Sequence, residues 1–407
     1  MIKKPEVLAP AGDRERFDAA FRAGADAIYV GSTMFSMRAA PQNFDFDALT
    51  EICTLAHGKG VRIYLTLNTL PRNSEIEKLP EYIKAAASAG VDAFIVADIG
   101  VLSYCKKYAP DVDVHISTQA GIVNWLSANE FYNLGAKRVV LARELSLNDI
   151  AELRAKTPKE LEIECFVHGA MCVSFSGRCL LSNYLVNRDA NRGECAQPCR
   201  WEYYLMQKDR QGNFFPIDEN HNGTYILNSK DMCMIEHIPE LVKAGVDSFK
   251  IEGRAKSAYY TAVITNAYRM AVDGYLKNPS DDYKPEQWIV DETRKVSYRE
   301  YGTGFYYEAP EINANVSYEG GYRREWDVMA VVEKCEDGWI YIGQRNKFSV
   351  GDTLEALEFG KKPVSFTVTE MTDLDGEALE STPHPMMKAK IRSDLILESG
   401  ALLRKQA

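Results

Sequence analysis

The 407 residues, 46% hydrophobic and 26% charged, describe an ordinary globular chain long enough for one large domain and a small one. A net charge of −10 excludes a surface that is basic overall, although 48 lysines and arginines leave material for a local basic channel. No apolar run approaches the ~18 residues of a bilayer span, and with no leader-like N-terminus the nine cysteines point to a reducing cytoplasm and no membrane partner.

The first 150 residues repeat one phrase. AGADAIYVG (23–31), AGVDAFIVADIG (89–100) and LGAKRVVLARE (134–144) each end a helical stretch with glycine and run into a short apolar strand. A fourth copy, AGVDSFKIEGR, occupies 244–254. Glycine supplies the left-handed helix cap, and the apolar runs suit parallel strands buried on both faces. With VLAP (7–10), VRIYLTLN (61–68), VDVHIST (112–118) and LEIECFVHG (161–169), eight strands alternate with helices. This predicts an α/β fold, a (β/α)8 TIM-like barrel over residues 1–276, whose active site sits at the carboxyl ends of its strands.

Polar residues fall at those ends. Asp13 and Asp98 are explained as helix N-caps, and His168 alone as a packed histidine. Arg143, Lys250, Glu252 and Arg254 are harder to dismiss, since charges at strand ends point into the barrel mouth. They suit either an anionic ligand or a structural ion-pair network.

The exit loop of the seventh strand opens a cysteine-rich block, 164–233. Cys165, Cys172, Cys179, Cys195 and Cys199 lie within 37 residues, and Cys233 follows in NSKDMC. Paired C-x2-C knuckles of zinc ribbons are missing, and a chain of this length needs no disulfide staples. Spacing alone leaves an iron–sulfur cluster, a zinc site and unligated buried thiols all open, with the cluster ahead. Within the block, residues 201–227 read as a β-hairpin excursion around DRQGN. Two helices are expected at 255–276 and 284–298. The helical, aromatic-rich linker 277–327 carries Tyr298, Tyr301, Tyr306, Tyr318, Tyr322 and Trp326 beside Arg323 and Arg324. Those rings either stack bases or pack on the barrel, the second being the simpler reading. Short strands from Val328 predict a small β-barrel domain over 328–407.

The run ECFVHGAMCVSFSGRCLLSNYL, with PEVLAPAGD, ADAIYVG, NRGECAQPCR, LNSKDMC and GVDSFKIEGR, resembles the signature of the collagenase-like peptidase family, peptidase family U32. The C-terminal strands are similar to those of its tRNA-hydroxylation branch. That resemblance covers essentially the whole chain and implies an iron–sulfur-dependent RNA hydroxylase. The implied partner is tRNA, and the implied reaction forms 5-hydroxyuridine at the wobble position with prephenate as a small anionic donor. It also implies a 4Fe-4S cluster on Cys172, Cys179, Cys195 and Cys233, with Cys199 a fifth candidate for four places; zinc in the same thiolates, or an apo form, remains open for purified protein. Cys165, Cys53, Cys105 and Cys335 are expected to be structural. His168, Arg143, Lys250, Glu252 and Arg254 are the implied reaction residues, with the cations on the carboxylates of the donor. Two other readings stand beside this one: a Cys–His peptidase built on Cys172 and His168, and a noncatalytic RNA-binding protein. The sequence contains neither H-E-x-x-H nor G-x-S-x-G, and crowded cysteines make a poor setting for one activated thiolate.

Overall fold

The computed structural model describes residues 3–32, 34–36, 43–172, 174–175, 179–190, 194–201, 205–206, 214–215, 229–308 and 321–407. Among the described residues, nineteen strands are defined. The first seven are β1 (Glu6–Ala11), β2 (Ala27–Gly31), β3 (Arg62–Leu67), β4 (Ala93–Val96), β5 (Asp113–Ile116), β6 (Arg138–Val140) and β7 (Glu162–Ala170). The block after them holds β8 (Leu205–Met206), β9 (Phe214–Phe215) and β10 (Asp231–Cys233), followed by β11 (Ser248–Ile251) and β12 (Tyr301–Gly302). Strands β1 to β7 pair in order, all parallel, and β11 pairs with both β7 and β1, closing an eight-stranded barrel. The upper end of β7 also carries β10 antiparallel and then β12, so the sheet runs past the barrel on the side of the cysteine block.

The repeated phrase has a physical explanation. Gly24, Gly90, Gly135 and Gly245 all take left-handed backbone, with φ of 86, 91, 93 and 84°, ending each helix so that the next strand can begin. The aspartate two residues on ties that strand to its neighbour. Asp26 accepts from the Val7 amide at 2.9 Å, Asp92 from Ile63 at 2.7 Å and Asp247 from Ile163 at 2.9 Å. Each carboxylate thus satisfies a backbone donor at the start of an adjacent strand. The barrel strands are almost entirely buried, and their side chains join the inner faces of the surrounding helices in one core. Asp13 and Asp98 are N-caps, Asp13 on the Arg16 amide and Asp98 on those of Gly100 and Val101.

The hairpin expected at 201–227 appears as the antiparallel β8–β9 pair, Leu205 opposite Phe215; the rest of that stretch and Tyr318 lie outside the described residues. The helix Ala258–Lys277 lies over β1 and packs against the helix Arg14–Arg22. The expected helix at 284–298 is shorter, Gln287–Glu292. Beyond Thr293 the chain is drawn into extended pairing, Tyr298 bridging Arg323 and β12 joining β10.

The C-terminal lobe comprises β13 (Trp326–Glu336), β14 (Trp339–Gln344), β15 (Thr353–Leu357), β16 (Val364–Thr367), β17 (Met371–Thr372), β18 (Lys388–Arg392) and β19 (Leu402–Gln406). It is one antiparallel sheet in the order β16-β15-β19-β13-β14-β18-β17. Its apolar cluster, including Val332, Ile342, Phe348, Leu354, Ala389 and Leu403, is separate from that of the barrel. A lone sheet buries such a cluster only by curling around it. Arg404, fully buried, fastens the lobe to the linker through Glu292 at 2.6 Å, while Glu355 pairs with it within the lobe.

Candidate functional site at the barrel mouth

Charge is distributed in two layers inside the barrel. At the amino ends, Arg138 is 1% exposed and binds Glu6 at 2.6 Å, Glu162 at 2.7 Å and Glu164 at 2.9 Å. Arg62 adds a second cation on Glu6, and Tyr64 and Ser248 donate to the same carboxylate at 2.7 and 2.9 Å. Burial alone would raise the Glu6 carboxyl, but Arg138, Arg62 and the Tyr64 hydroxyl outweigh it and hold it at about 2. His115 beside this layer is pushed well below its ordinary range, first by burial and then by Arg138 and Lys250, so it stays neutral. Lys250, on β11, reaches down to Glu164 at 2.6 Å. Of the cations expected to meet an anionic ligand, Lys250 is therefore already matched by a carboxylate.

The carboxyl ends of the strands surround a cavity of about 210 Å³. Its wall includes Thr66 and Asn68 after β3, Ser117, Thr118 and Gln119 after β5, and Arg143 after β6. Lys250, Glu252 and Arg254 complete it on the β11 side. Arg254 is buried and donates to Thr66 Oγ1 at 2.9 Å and Ser36 Oγ at 2.7 Å, oxygens that orient it. A side chain on Gly31 would put Cβ 2.7 Å from both Arg254 Nη1 and Ser36 Oγ, so this position holds glycine for room. Arg143 stacks over the Phe166 ring at 3.9 Å and donates from Nη1 to the Ala170 carbonyl at 3.0 Å. It pairs with no carboxylate among the described residues, and its buried Nε has no hydrogen-bond partner. A buried guanidinium donor left unsatisfied in a polar cavity is a place for an acceptor oxygen. Glu252 accepts from the Tyr29 hydroxyl at 3.1 Å.

The exit loop of β7 brings Cys172, Cys179, Cys195 and Cys199 onto the same wall. Two of these thiols accept local amides, Cys179 from Leu181 at 3.3 Å and Cys195 from Gln197 at 3.4 Å. Burial raises the Cys172 and Cys199 thiols above their ordinary range, and the neighbouring cysteines add to the shift. Loading a metal centre would therefore release protons. The donor set fits a thiolate-ligated centre. Among the described residues no three Cys, His, Asp or Glu side chains gather closely enough to hold a single metal ion as they stand.

Cys233 and His168 are placed elsewhere. Both are opposite each other on the β10–β7 pair, below the cavity wall. The Cys233 thiol contacts Thr293 and Tyr268, and burial pushes it up to about 11. His168 is 1% exposed, packed by Tyr260, Tyr268 and Tyr301, with Nε2 3.3 Å from the Tyr301 hydroxyl. Burial drives it down to about 3 despite the Asp231 carboxylate. The imidazole is neutral and enclosed, and it is not among the residues that line the cavity with Cys172. Cys53, Cys105 and Cys165 are buried in the barrel core, and the half-buried Cys335 accepts from the Leu397 amide in the lobe. Sequence reasoning passed over two further residues: Arg200, directly after Cys199, which lines the mouth, and Lys256, two residues after Arg254, which lines the adjoining cavity.

The fold and this wall define a (β/α)8 protein whose barrel mouth combines clustered thiols with arginines. The chain belongs to peptidase family U32: that family's model matches residues 12–315, and the model of its C-terminal domain matches 324–404. It is 36% identical over its full length to tRNA hydroxylation protein P1 of Bacillus subtilis, of which it covers 96%. It is 33% identical to tRNA hydroxylation protein P of Escherichia coli, over 93% of this chain and 92% of that one. A collagenase of Porphyromonas gingivalis is 34% identical, over 74% of this chain and 73% of the relative.

Proposed function

We propose that this chain is a tRNA-modifying hydroxylase that works at the barrel mouth, with an iron–sulfur cluster held by the thiolates of Cys172, Cys179 and Cys195. The observation that carries the reading is the convergence of four thiols and three arginines on one small cavity, in a chain aligned end to end with tRNA hydroxylation proteins. Cys199 lines that cavity and Cys233 does not, which supports Cys199 as the fourth ligand; the family resemblance supports Cys233. When bound, such a cluster supplies electron transfer or an electrophilic iron.

The protein's own residues do the rest. Arg143, through its unsatisfied Nε, and Arg254 hold the carboxylates of a small anionic oxygen donor, for which prephenate is the specific proposal. Lys250, matched to Glu164, sets the floor of the cavity and adds little net charge. Ser117, Thr118, Gln119 and Asn68 present donors and acceptors suited to the edge of a pyrimidine. A wobble uridine is already unpaired, so little unstacking is needed to bring its C5 edge into the mouth. A soluble cytoplasmic setting follows from this substrate, and no helix among the described residues is long and apolar enough to cross a membrane.

A peptidase reading has the Porphyromonas relative's name behind it. It lacks a base: His168 is sealed among tyrosines, and the Cys172 thiol is raised rather than lowered. The test is nucleoside analysis of bulk tRNA from a strain lacking this chain and any parallel enzyme, since Bacillus subtilis carries both a P1 and a P2 protein. The 5-hydroxyuridine family should disappear, return with the wild-type gene and stay absent with folded Cys195→Ala. Unchanged nucleosides in that strain would reject the hydroxylase reading, and rescue by Cys195→Ala would favour a noncatalytic RNA binder.

A further inference from the structure

A second cavity, of about 490 Å³, lies between the barrel and the C-terminal lobe. One wall is the segment from Glu252 to Ser257, the other runs from Tyr322 to Val328. It shares Ala170, Gln197, Arg200 and Glu252 with the cysteine cavity, so the two adjoin across these side chains.

Its cations differ in how they are matched. Arg299 is taken up by Asp231 at 2.6 Å, and Arg324 by Asp327 at 2.5 Å. Among the described residues, Lys256 and Arg200 have no carboxylate within ion-pair distance. Lys256 Nζ donates to the Ser297 carbonyl at 3.2 Å and sits over the Tyr322 ring at 4.0 Å and the Tyr260 ring at 5.2 Å. Arg200 donates from Nη1 to Gln197 Oε1 and to the Tyr322 hydroxyl at 2.6 Å, while its buried Nε has no partner. Two cations held near one ring without a counter-ion repel each other. In keeping with this, burial brings the Lys256 ammonium down to about 8, and Arg200 and Arg299 push the same way against Asp231 and Glu252. An anion between them would relieve the repulsion and satisfy the Arg200 Nε.

We propose that this interlobe groove holds a backbone phosphate of the RNA substrate, gripped by Arg200 and Lys256, while Tyr322 and Trp326 offer ring faces to the adjoining base. The assignment rests on the tRNA reading above. A shared wall with the cysteine cavity favours a strand passing over both rather than a second free metabolite, and aromatic faces beside paired cations are how single-stranded nucleic acid is held without sequence readout. Arg200, facing both cavities, would mark the step from the reacting nucleotide to its neighbour.

The experiment uses the full-length protein and a fluorescently labelled synthetic anticodon stem–loop, with anisotropy followed across a salt series. Lys256→Gln and Arg200→Gln should each weaken binding about tenfold, the loss of one charge-assisted contact. Each should also lower the slope of log affinity against log salt by about 0.7. Lys362→Gln, at an exposed position on the lobe, should change neither, and circular dichroism should show all variants folded. Wild-type affinity and slope in both groove variants would overturn the proposal while leaving the tRNA reading intact. Failure of wild-type protein to bind the stem–loop would overturn both. Inorganic phosphate provides the second arm: weak competition with the stem–loop is expected, whereas saturable phosphate binding that depends on Lys256 and leaves RNA affinity untouched would reassign the groove to a free anion.

Discussion

The two ends of the barrel carry similar residues and do opposite things with them. At the amino ends, Arg138, Arg62 and Lys250 meet Glu6, Glu162 and Glu164 charge for charge, with tyrosine and serine hydroxyls filling remaining acceptors. At the carboxyl ends, Arg254 is held by neutral hydroxyls, Arg143 keeps an unsatisfied Nε, and four thiols share the wall. A saturated network fixes a structure; an unsaturated one is available to a ligand. The difference separates the layer that holds the barrel together from the layer that can react.

The largest effect should come from breaking the saturated end. Arg138→Met removes the cation shared by Glu6, Glu162 and Glu164, two of them buried, and should cost about 3–5 kcal/mol in urea unfolding. Arg143→Met, at the other end, should leave the unfolding midpoint nearly in place and instead abolish restoration of hydroxylated tRNA. Equal destabilisation by the two would erase the distinction. Gly31→Ala should fall between them, at about 1–3 kcal/mol from overpacking, and should lower activity because the added methyl displaces Arg254. Wild-type activity in that variant would show that the position of Arg254 is unimportant.

Acid titration offers a sharper separation. The Glu6 carboxyl is held at about 2 against an ordinary 4.5, so its contribution to stability is complete above about pH 4.5. It fades as pH falls from there through 2, where the folded state finally takes up the proton. Glu6→Gln should flatten the stability profile in that window, measured by urea unfolding at successive pH values; an unaltered slope would remove Glu6 from the account. The smallest effect is assigned to Asp98→Ala, which deletes an N-cap and should cost about 1 kcal/mol with activity intact. A loss of activity there would make this aspartate more than a cap.

The barrel was legible in the sequence because its signals are local. A helix ending in Gly, an Asp and an apolar strand repeat within about ten residues, and both the glycine caps and the aspartate latches act over short range. Arg143 and Arg254 at the mouth were legible for the same reason, since each comes shortly after its strand. What was not legible depends on distant partners. His168 is neutralised by tyrosines from the helix Ala258–Lys277 and from β12, about a hundred residues onward. The matching of Lys250 with Glu164 is set by the register of β11 on β7. Cys233 lies in a cysteine-rich sequence, yet its strand turns the thiol towards Tyr268 and Thr293. Lys256 and Arg200 acquire their setting from Tyr322, which only the linker brings back over the mouth.

Iron and acid-labile sulfide content after anaerobic purification tests the reactive end most directly, provided wild type is compared with Cys172→Ala, Cys199→Ala, Cys233→Ala and Cys335→Ala. The account predicts a brown wild-type protein with iron and sulfide in equal amounts, retained in Cys335→Ala and Cys233→Ala and lost in Cys172→Ala and Cys199→Ala. Retention in Cys199→Ala with loss in Cys233→Ala would move the fourth ligand to Cys233. A colourless wild type containing stoichiometric zinc and no sulfide would contradict the account.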